Sequence, residues 1–291
     1  MLGSVLTCLD HVVVAVTDLE TATDHYARLL GRSLSWRGSS SLADTSNAIF
    51  RTANVALHLI SPAQDGPIAS AVGKWLEKRG EGLYSLTFAC DDAEGAVHWL
   101  RQRGLEAIDP IDGEGTGDGD YGTRSWRLVV LPPSSTRRIA LSLSQDTSDP
   151  AVVPPAALGV DSAAAVEGLD HVVISSPDPE ATRLLYGQAL GLHLALDRTF
   201  DERGLRILFF CLAGVTVEVV GSLTDPVRPE AGDRFGGLAW QVNDVASIRE
   251  RLARQGFDVS EDRVGHKPGS RVCTVRSDTH GVPTLLIGPD G

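Results

Sequence analysis

The sequence has few cysteines and no long apolar run, and each shortage excludes a class of protein. Its four cysteines show no Cys-x-x-Cys spacing and lie in or beside apolar stretches, which favours buried thiols in a reducing compartment over a redox pair. No apolar stretch approaches the length of a bilayer span, and the first residues lack the basic and apolar regions of a secretory signal. We therefore expect a cytoplasmic protein with no membrane partner.

Positive charge is also scarce, since 26 Lys and Arg stand against 38 Asp and Glu, for a formal net charge of -12. Such a field repels phosphate backbones, so we expect no nucleic-acid partner. The chain also lacks a Gly-rich phosphate loop, a nucleophile elbow and a His-Glu-x-x-His stretch. These absences argue against nucleotide-dependent transfer, serine hydrolysis and zincin proteolysis.

What the chain does contain is an internal repeat. The five residues LDHVV that begin at Leu9 return in the same order from Leu169. The same offset places Glu218 at the position of His58. A repeat in a chain of 291 residues, which is longer than one core usually supports, predicts two domains of similar size.

Each clear copy of the repeat predicts a strand, a helix and three further strands. A β-branched run is followed by an Asp that can cap a helix, and Gly31 supplies the left-handed residue that ends it. Strand alternation predicts that His11 shares a face with Leu9 and Val13, and that His58 is the one strongly polar side chain of the last strand.

Two weaker copies follow the clear ones, so we predict an α+β fold of four βαβββ modules paired into two domains. Between the strands of the second module, residues 109–122 are rich in Gly and Asp, which predicts a mobile surface loop. The register of an EF-hand is absent there, so calcium binding is not favoured. The predicted domains are 1–147 (modules 7–62 and 80–145) and 167–291 (modules 168–221 and 235–288), with a linker at 148–166.

The pattern of strand-His-helix-Gly, followed by a last strand that carries a metal-ligand-type residue, resembles the vicinal oxygen chelate (VOC) superfamily. That superfamily includes glyoxalase I, extradiol dioxygenases, methylmalonyl-CoA epimerase and bleomycin-resistance proteins. The segments 9–31 and 169–191 most resemble the glyoxalase-like members, and the superfamily pattern covers roughly the full length. The resemblance implies two open barrel-like sheets, and it indicates the fold more strongly than the reaction.

The resemblance also implies metal ligands from the first and last strands of each module. Half of the implied positions carry residues that bind metals, and the other half do not. The positions are His11, His58, Ser85 and Ser142 in the first domain, and His171, Glu218, Gly237 and either Leu285 or Leu286 in the second.

Two functions stay open at this point. The first is a lyase, isomerase or ring-cleaving dioxygenase in which a divalent Zn, Ni, Mn or Fe ion assists catalysis on a small oxygen-rich substrate. His171 and Glu218 are its preferred ligands because the carboxylate offsets the metal charge, and Glu218 is also a candidate general base. His11 and His58 are the second pair. The alternative is a metal-free protein that binds or sequesters a small molecule. A third hypothesis is that one domain binds the ligand and the other is only a scaffold.

Other residues could complete either kind of site. His266 and His280 are candidate third ligands, although their Gly- and Pro-containing loops are typical of surface histidines. The modules could pair within one chain or by exchange between the chains of a homodimer. Candidate anion-binding residues are Arg271, Lys267 and Arg206, and candidate apolar or stacking walls are Trp36, Trp126, Tyr121 and Trp240.

Overall fold

The computed structural model describes residues 4–40, 42, 44–63, 71–225 and 229–290. The predicted α+β class and the order of strand, helix and three strands are confirmed in these residues. No helix in the described part of the chain is long and apolar enough to cross a membrane.

The first sheet is a closed barrel, which corrects the expectation of two open sheets. Its strand order is β1-β4-β3-β2-β6-β7-β8-β5, and β5 pairs with β1 to complete the circle. The strands are β1 (Leu9–Ala15), β2 (Trp36–Ser40), β3 (Thr45–Arg51), β4 (Ala56–Pro62), β5 (Gly82–Ala89), β6 (Ile111–Gly117), β7 (Arg124–Leu131) and β8 (Leu141–Asp146), and the helices are α1 (Leu19–Leu30), α2 (Ala71–Arg79) and α3 (Ala93–Gln102).

The second sheet is open, as expected, with the order β10-β11-β12-β9-β13-β16-β15-β14. Its two edges are β10 and β14, and β14 has only two residues. The strands are β9 (Val166–Ser176), β10 (His193–Phe200), β11 (Leu205–Leu212), β12 (Val215–Ser222), β13 (Arg234–Val242), β14 (Arg263–Val264), β15 (Ser270–Val275) and β16 (Thr284–Pro289), and the helices are α4 (Pro179–Arg183), continued by a π-helix (Leu184–Ala189), and α5 (Val245–Arg254).

The predicted helix signals of the first module are present. The Asp18 side chain accepts a hydrogen bond from the backbone N–H of Thr21, and Gly31 ends α1 in the left-handed conformation at φ 66°. Helix α2 was not predicted. It packs Val72 and Leu76 against a cluster that includes Val13, and so covers one end of the barrel.

The prediction of a surface loop at 109–122 is wrong, because β6 occupies Ile111–Gly117. In this strand exposed acidic residues alternate with buried glycines. A Cβ on Gly113 would lie 2.4 Å from the Trp126 indole, and one on Gly115 would lie 3.2 Å from the Trp36 indole. The glycines therefore face inward and make room for two rings, and they do not mark a mobile segment.

The predicted common face of Leu9 and His11 is also wrong. The pairing of β1 with β5 shifts register between these two residues, as a β-bulge does. Leu9 consequently packs in the main core with Val12 and Val14, whereas Val13 belongs to the cluster under α2.

The two domains are joined by buried polar contacts as well as by a shared apolar core. The Arg251 guanidinium of α5 donates to the carbonyl oxygens of Leu29 at 2.9 Å and Ala164 at 2.8 Å. The Tyr26 hydroxyl of α1 donates to the carbonyl of Thr279 at 3.0 Å. The carbonyls at the end of α1 are thus satisfied by the second domain.

Candidate functional site

A cavity of about 170 Å³ lies inside the first-domain barrel, and we call it the inner cavity. It is lined by side chains from β1 to β5 and from β7 and β8. The four first-domain positions implied by the superfamily resemblance all line it, although they come from four different strands: His11, His58, Ser85 and Ser142.

Strand pairing explains why the two histidines meet. β1 and β4 are parallel neighbours, and Val13 lies opposite His58 in the register. The ring centroids of His11 and His58 are 5.2 Å apart at an interplanar angle of 69°. His11 Nδ1 lies 2.6 Å from a carboxylate oxygen of Asp10, and His58 Nε2 lies 3.0 Å from the amide oxygen of Asn47.

These contacts set the charges of the site. Burial, followed by the positive charges of His11 and Arg124, holds the pKa of His58 well below its usual range, so this ring is neutral at physiological pH. Burial alone would raise the pKa of Asp10, but the hydrogen bond from His11 and the charges of His11 and Arg124 lower it overall. The Asp10 carboxylate is therefore ionised and already engaged.

Arg124 is the residue of this cavity that the sequence analysis missed. Its guanidinium carbon lies 5.3 Å from the ring centroid of Trp36 and 5.3 Å from that of Trp126. Its Nε is buried without a hydrogen-bond partner, and among the described residues the side chain forms no salt bridge. Burial lowers its pKa, which the charges of Asp146 and Asp10 offset only in part. The signal was available, since alternation along β7 places Arg124 on the face of Trp126 and Leu128.

A second cavity of about 330 Å³, the outer cavity, adjoins the first. The two cavities share His11, His58 and Arg124 in their linings. Asp10 and Ala213 also line the outer cavity, and Ala213 lies in the turn between β11 and β12 of the second domain. Arg124 therefore stands where the outer cavity meets the interior of the barrel.

The second domain also brings its two predicted ligands together. His171 and Glu218 lie on the neighbouring parallel strands β9 and β12, and His171 Nε2 is 3.8 Å from a carboxylate oxygen of Glu218. Asp170 contacts the other ring nitrogen of His171 at 2.8 Å. Burial raises the pKa of Glu218, although the positive charges of His171 and His266 oppose this shift.

The other half of this second-domain site is apolar. Gly237 pairs with Val173, two residues along from the point where Ala239 pairs with His171. Leu285 lies opposite Ala239 and packs in a small cluster with it, whereas Leu286 belongs to the main core. Because Ser142 lies opposite Thr87 in the same way, the register favours Leu285 over Leu286 for the fourth position, where an apolar side chain offers no metal ligand.

The candidate third ligands have other partners. His266 lies 3.0 Å from the Arg203 guanidinium. The expectation of a surface histidine is wrong for His280, because its side chain is only 8% exposed. Its ring contacts Glu81 at 2.8 Å and His25 at 3.1 Å. Among the residues that the structure describes, no group of three or more His, Cys, Asp and Glu side chains is placed to hold a metal ion.

The candidate anion-binding residues are paired, in contrast to Arg124. Arg206 binds Asp197 at 2.6 Å and Glu180 at 3.1 Å, Arg271 binds Asp262 and Asp290, and Lys267 approaches Asp170 at 3.4 Å. Of the aromatic candidates, Trp36 and Trp126 line the inner cavity, Tyr121 packs beside Trp36, and Trp240 is buried in the main core.

Comparison with known proteins agrees with this fold. The family described as "Glyoxalase-like domain" matches residues 9–167, and "Glyoxalase/Bleomycin resistance protein/Dioxygenase superfamily" matches residues 170–274. The chain is 25% identical over 142 residues to "Uncharacterized protein YqjC" of Bacillus subtilis, covering 48% of this chain and 94% of the relative. It is 27% identical over 131 residues to an ethylmalonyl-CoA/methylmalonyl-CoA epimerase of Cereibacter sphaeroides, covering 42% of this chain and 87% of the relative.

A solved structure shares the whole architecture. A mutant of 4-hydroxymandelate synthase from Streptomyces coelicolor superposes with a TM-score of 0.67 over 98% of this chain and 93% of the other, at 18% identity, which indicates a common fold and no more. Because the first family match alone spans more than half of the sequence, the chain belongs to the glyoxalase-like proteins of the vicinal oxygen chelate superfamily.

Proposed function

We propose that the chain binds a small molecule inside the first-domain barrel without a metal ion. The observation that carries this proposal is the convergence of His11, His58, Ser85 and Ser142 on one cavity that also contains Arg124. A cavity of about 170 Å³ is large enough for a small ring, since engineered cavities of about 150 Å³ bind benzene. The adjoining outer cavity gives room for a longer ligand.

The chemistry of this cavity fits a divalent cation poorly. Its four ligand-equivalent positions supply two imidazoles and two hydroxyls, and no carboxylate from these positions would offset the metal charge. His58 Nε2 is directed at Asn47, and the Asp10 carboxylate is held by His11. The positive charge of Arg124 would also repel a cation in a site of low dielectric constant. These features support a binding role that does not depend on metal.

A cavity-filling variant tests the proposal. Dialysed protein is titrated with small carboxylates and their neutral amides, and binding is followed by calorimetry and by the thermal unfolding midpoint, with and without a chelator. We expect the wild type to bind at least one compound in both conditions, and Ser142→Leu, which fills the inner cavity, to lose that binding. Binding that survives in Ser142→Leu, or that disappears with the chelator, would contradict the proposal.

A second candidate function is a metal-assisted or acid–base reaction in the second domain. Asp170 contacts Nδ1 of His171, which leaves Nε2 facing Glu218, and carboxylate–imidazole contacts of this kind orient metal-binding histidines. A divalent cation held by His171 and Glu218 would polarise a substrate oxygen. Without it, the raised pKa of Glu218 suits a general base that removes a proton next to a carbonyl. The partial likeness to an epimerase supports testing this class of reaction.

A further inference from the structure

The unpaired Arg124 is the feature that the cavity leaves unexplained. Burying a cation without a partner is costly, and proteins normally pair such a group or expose it. Other arginines of the first domain follow that rule, because Arg37 is paired with Glu20, Arg101 with Asp109, and Arg127 with Glu94. Arg124 keeps its charge at the junction of two cavities with no such partner among the described residues.

The barrel is built to hold this guanidinium in place. The indoles of Trp36 and Trp126 lie at equal distances from it, and each faces an inward glycine of β6 that leaves space for the ring. Contact between a guanidinium and aromatic faces stabilises its orientation and leaves its N–H donors free. Two carboxylates act on its charge without forming a salt bridge to it: Asp146, which accepts a hydrogen bond from the backbone N–H of Ser148, and Asp10, which is held by His11. An accepting group from outside the chain is therefore the partner that is missing.

We propose that the ligand of the first-domain cavities is a small monocarboxylic acid whose carboxylate accepts hydrogen bonds from Arg124 while its apolar body enters the inner cavity. This inference rests on the proposed function. The body would lie against Trp126, Ile60 and Leu128, which line the inner cavity. Pairing of a planar guanidinium with a carboxylate forms two parallel charge-assisted hydrogen bonds, which fix the orientation of the ligand.

Charge balance favours one negative charge on the ligand. Arg124 supplies one positive charge to the inner cavity, the neutral His58 adds none, and Arg51 lines only the outer cavity. Asp10 and Asp146 both line the outer cavity, so a second negative charge on the ligand would meet repulsion. A monocarboxylate satisfies Arg124 without this penalty, whereas a phosphate ester with nearly two charges does not. The hydroxyls of Thr87 and Ser142, which contact each other at 2.8 Å, remain available for a hydroxyl or carbonyl of the ligand.

Matched acids and amides test the inference. Acetate, butyrate, benzoate and 2-naphthoate are compared with acetamide, butyramide, benzamide and 2-naphthamide, with calorimetry and tryptophan fluorescence as readouts. We expect the best acid to bind wild type about tenfold to a hundredfold more tightly than its amide, the range for a hydrogen bond to a charged group. Arg124→Met should abolish the difference. Arg127→Met should preserve it, because Arg127 lies on the same strand and pairs with Asp112 and Glu94 outside the barrel.

The stability of the unliganded variants separates a binding role from a structural one. Since Met removes a half-buried charge that has no salt-bridge partner among the described residues, we expect Arg124→Met to unfold at the same temperature as wild type or above it. If acids and amides bind equally and Ser142→Leu abolishes both, the proposed function stands and this inference is overturned. If Arg124→Met keeps the preference for acids over amides, the inference is also overturned. A lower unfolding temperature together with an unchanged preference would show that Arg124 is structural. If no compound binds wild type, the proposed function fails together with it.

Discussion

Arg251, on the last helix of the second domain, donates a hydrogen bond to the carbonyl oxygen of Leu29 at the end of the first helix. The contact ties the domains together through a group that is 7% exposed. It is accompanied by hydrogen bonds to the carbonyls of Arg28 and Ala164. Burial lowers the pKa of Arg251 to about 10, which reflects the cost of placing this charge inside the protein, and the hydrogen bonds to the carbonyls offset part of that cost.

Replacing Arg251 tests whether this contact stabilises the whole chain. We expect Arg251→Met to lower the free energy of unfolding by ~2–4 kcal/mol, because it leaves several buried carbonyl oxygens without donors. Arg254→Met, on the exposed face of the same helix, is the control and should change stability by less than ~0.5 kcal/mol. Urea denaturation measures both. Equal stability of the two variants would show that the domains do not depend on the Arg251 contacts.

Gly113 is expected to be essential to the shape of the inner cavity. A Cβ at this position would lie 2.4 Å from the Trp126 indole, so Gly113→Ala must displace the ring or the strand. We expect a loss of ~1–3 kcal/mol in stability, which is typical of overpacking, and weaker ligand binding. In Gly159→Ala the nearest atom to the new Cβ is 3.8 Å away, so that control should behave as wild type. Denaturation and calorimetry on both variants provide the comparison.

The cysteines should differ sharply in reactivity. The expectation of buried thiols is met by Cys90 and Cys273 but is wrong for Cys211, which is exposed. Burial raises the pKa of Cys90 and of Cys273 to about 11. We therefore expect iodoacetamide at pH 8 to label Cys211 first and the two buried thiols only on unfolding, as peptide mass spectrometry would reveal. Rapid labelling of Cys273 in folded protein would contradict the burial.

The same two thiols predict a loss of stability in alkali. A thiol whose folded-state pKa is raised keeps its proton in the fold more firmly than in the unfolded chain. Its contribution to stability is complete below the ordinary value of 9.0 and is lost as the pH rises toward about 11. The unfolding midpoint in urea should fall over this window, and a Cys90→Ala, Cys273→Ala double variant should show a smaller fall. An identical decline in the double variant would assign the effect to other groups.

Metal binding in the second domain predicts a pattern among three variants. If His171 and Glu218 hold a cation, protein purified without chelators should contain metal close to one equivalent, and Zn²⁺, Ni²⁺, Mn²⁺ or Fe²⁺ should raise the unfolding temperature. His171→Ala and Glu218→Ala should both remove the effect, whereas His11→Ala should retain it. Elemental analysis and thermal unfolding measure these outcomes. Loss in His11→Ala alone would assign the metal to the first domain.

The sequence predicted the modules well because their signals are local. The cap at Asp18, the left-handed Gly31 and the β-branched run before them each act within a few residues. By contrast, β6 was missed because its alternation uses glycine, which carries no strand propensity of its own. The indoles that make those glycines favourable come from β2 and β7, so the reason for the strand lies in tertiary packing.

In the candidate site too, local patterns in the sequence could be read, and contacts made only on folding could not. The repeat and the resemblance located His11, His58, His171 and Glu218, and strand pairing does bring each pair together. Alternation along β7 could have placed Arg124 on the face of Trp126 and Leu128, but the absence of a salt-bridge partner emerges only when the barrel closes. The bulge beside Leu9 also changed which residues share a face with His11, and no local signal marks it.

The glycine-lined wall has a consequence for how this barrel can diverge. Every substitution at Gly113 or Gly115 adds atoms, so mutation of that wall can only narrow the set of molecules that fit beside Trp36 and Trp126. New specificities that need more space would have to arise elsewhere, at the indoles themselves or at the turn around Ala213 that the second domain contributes. A change in the ligand specificity of the first-domain cavities would then require substitutions in the second domain.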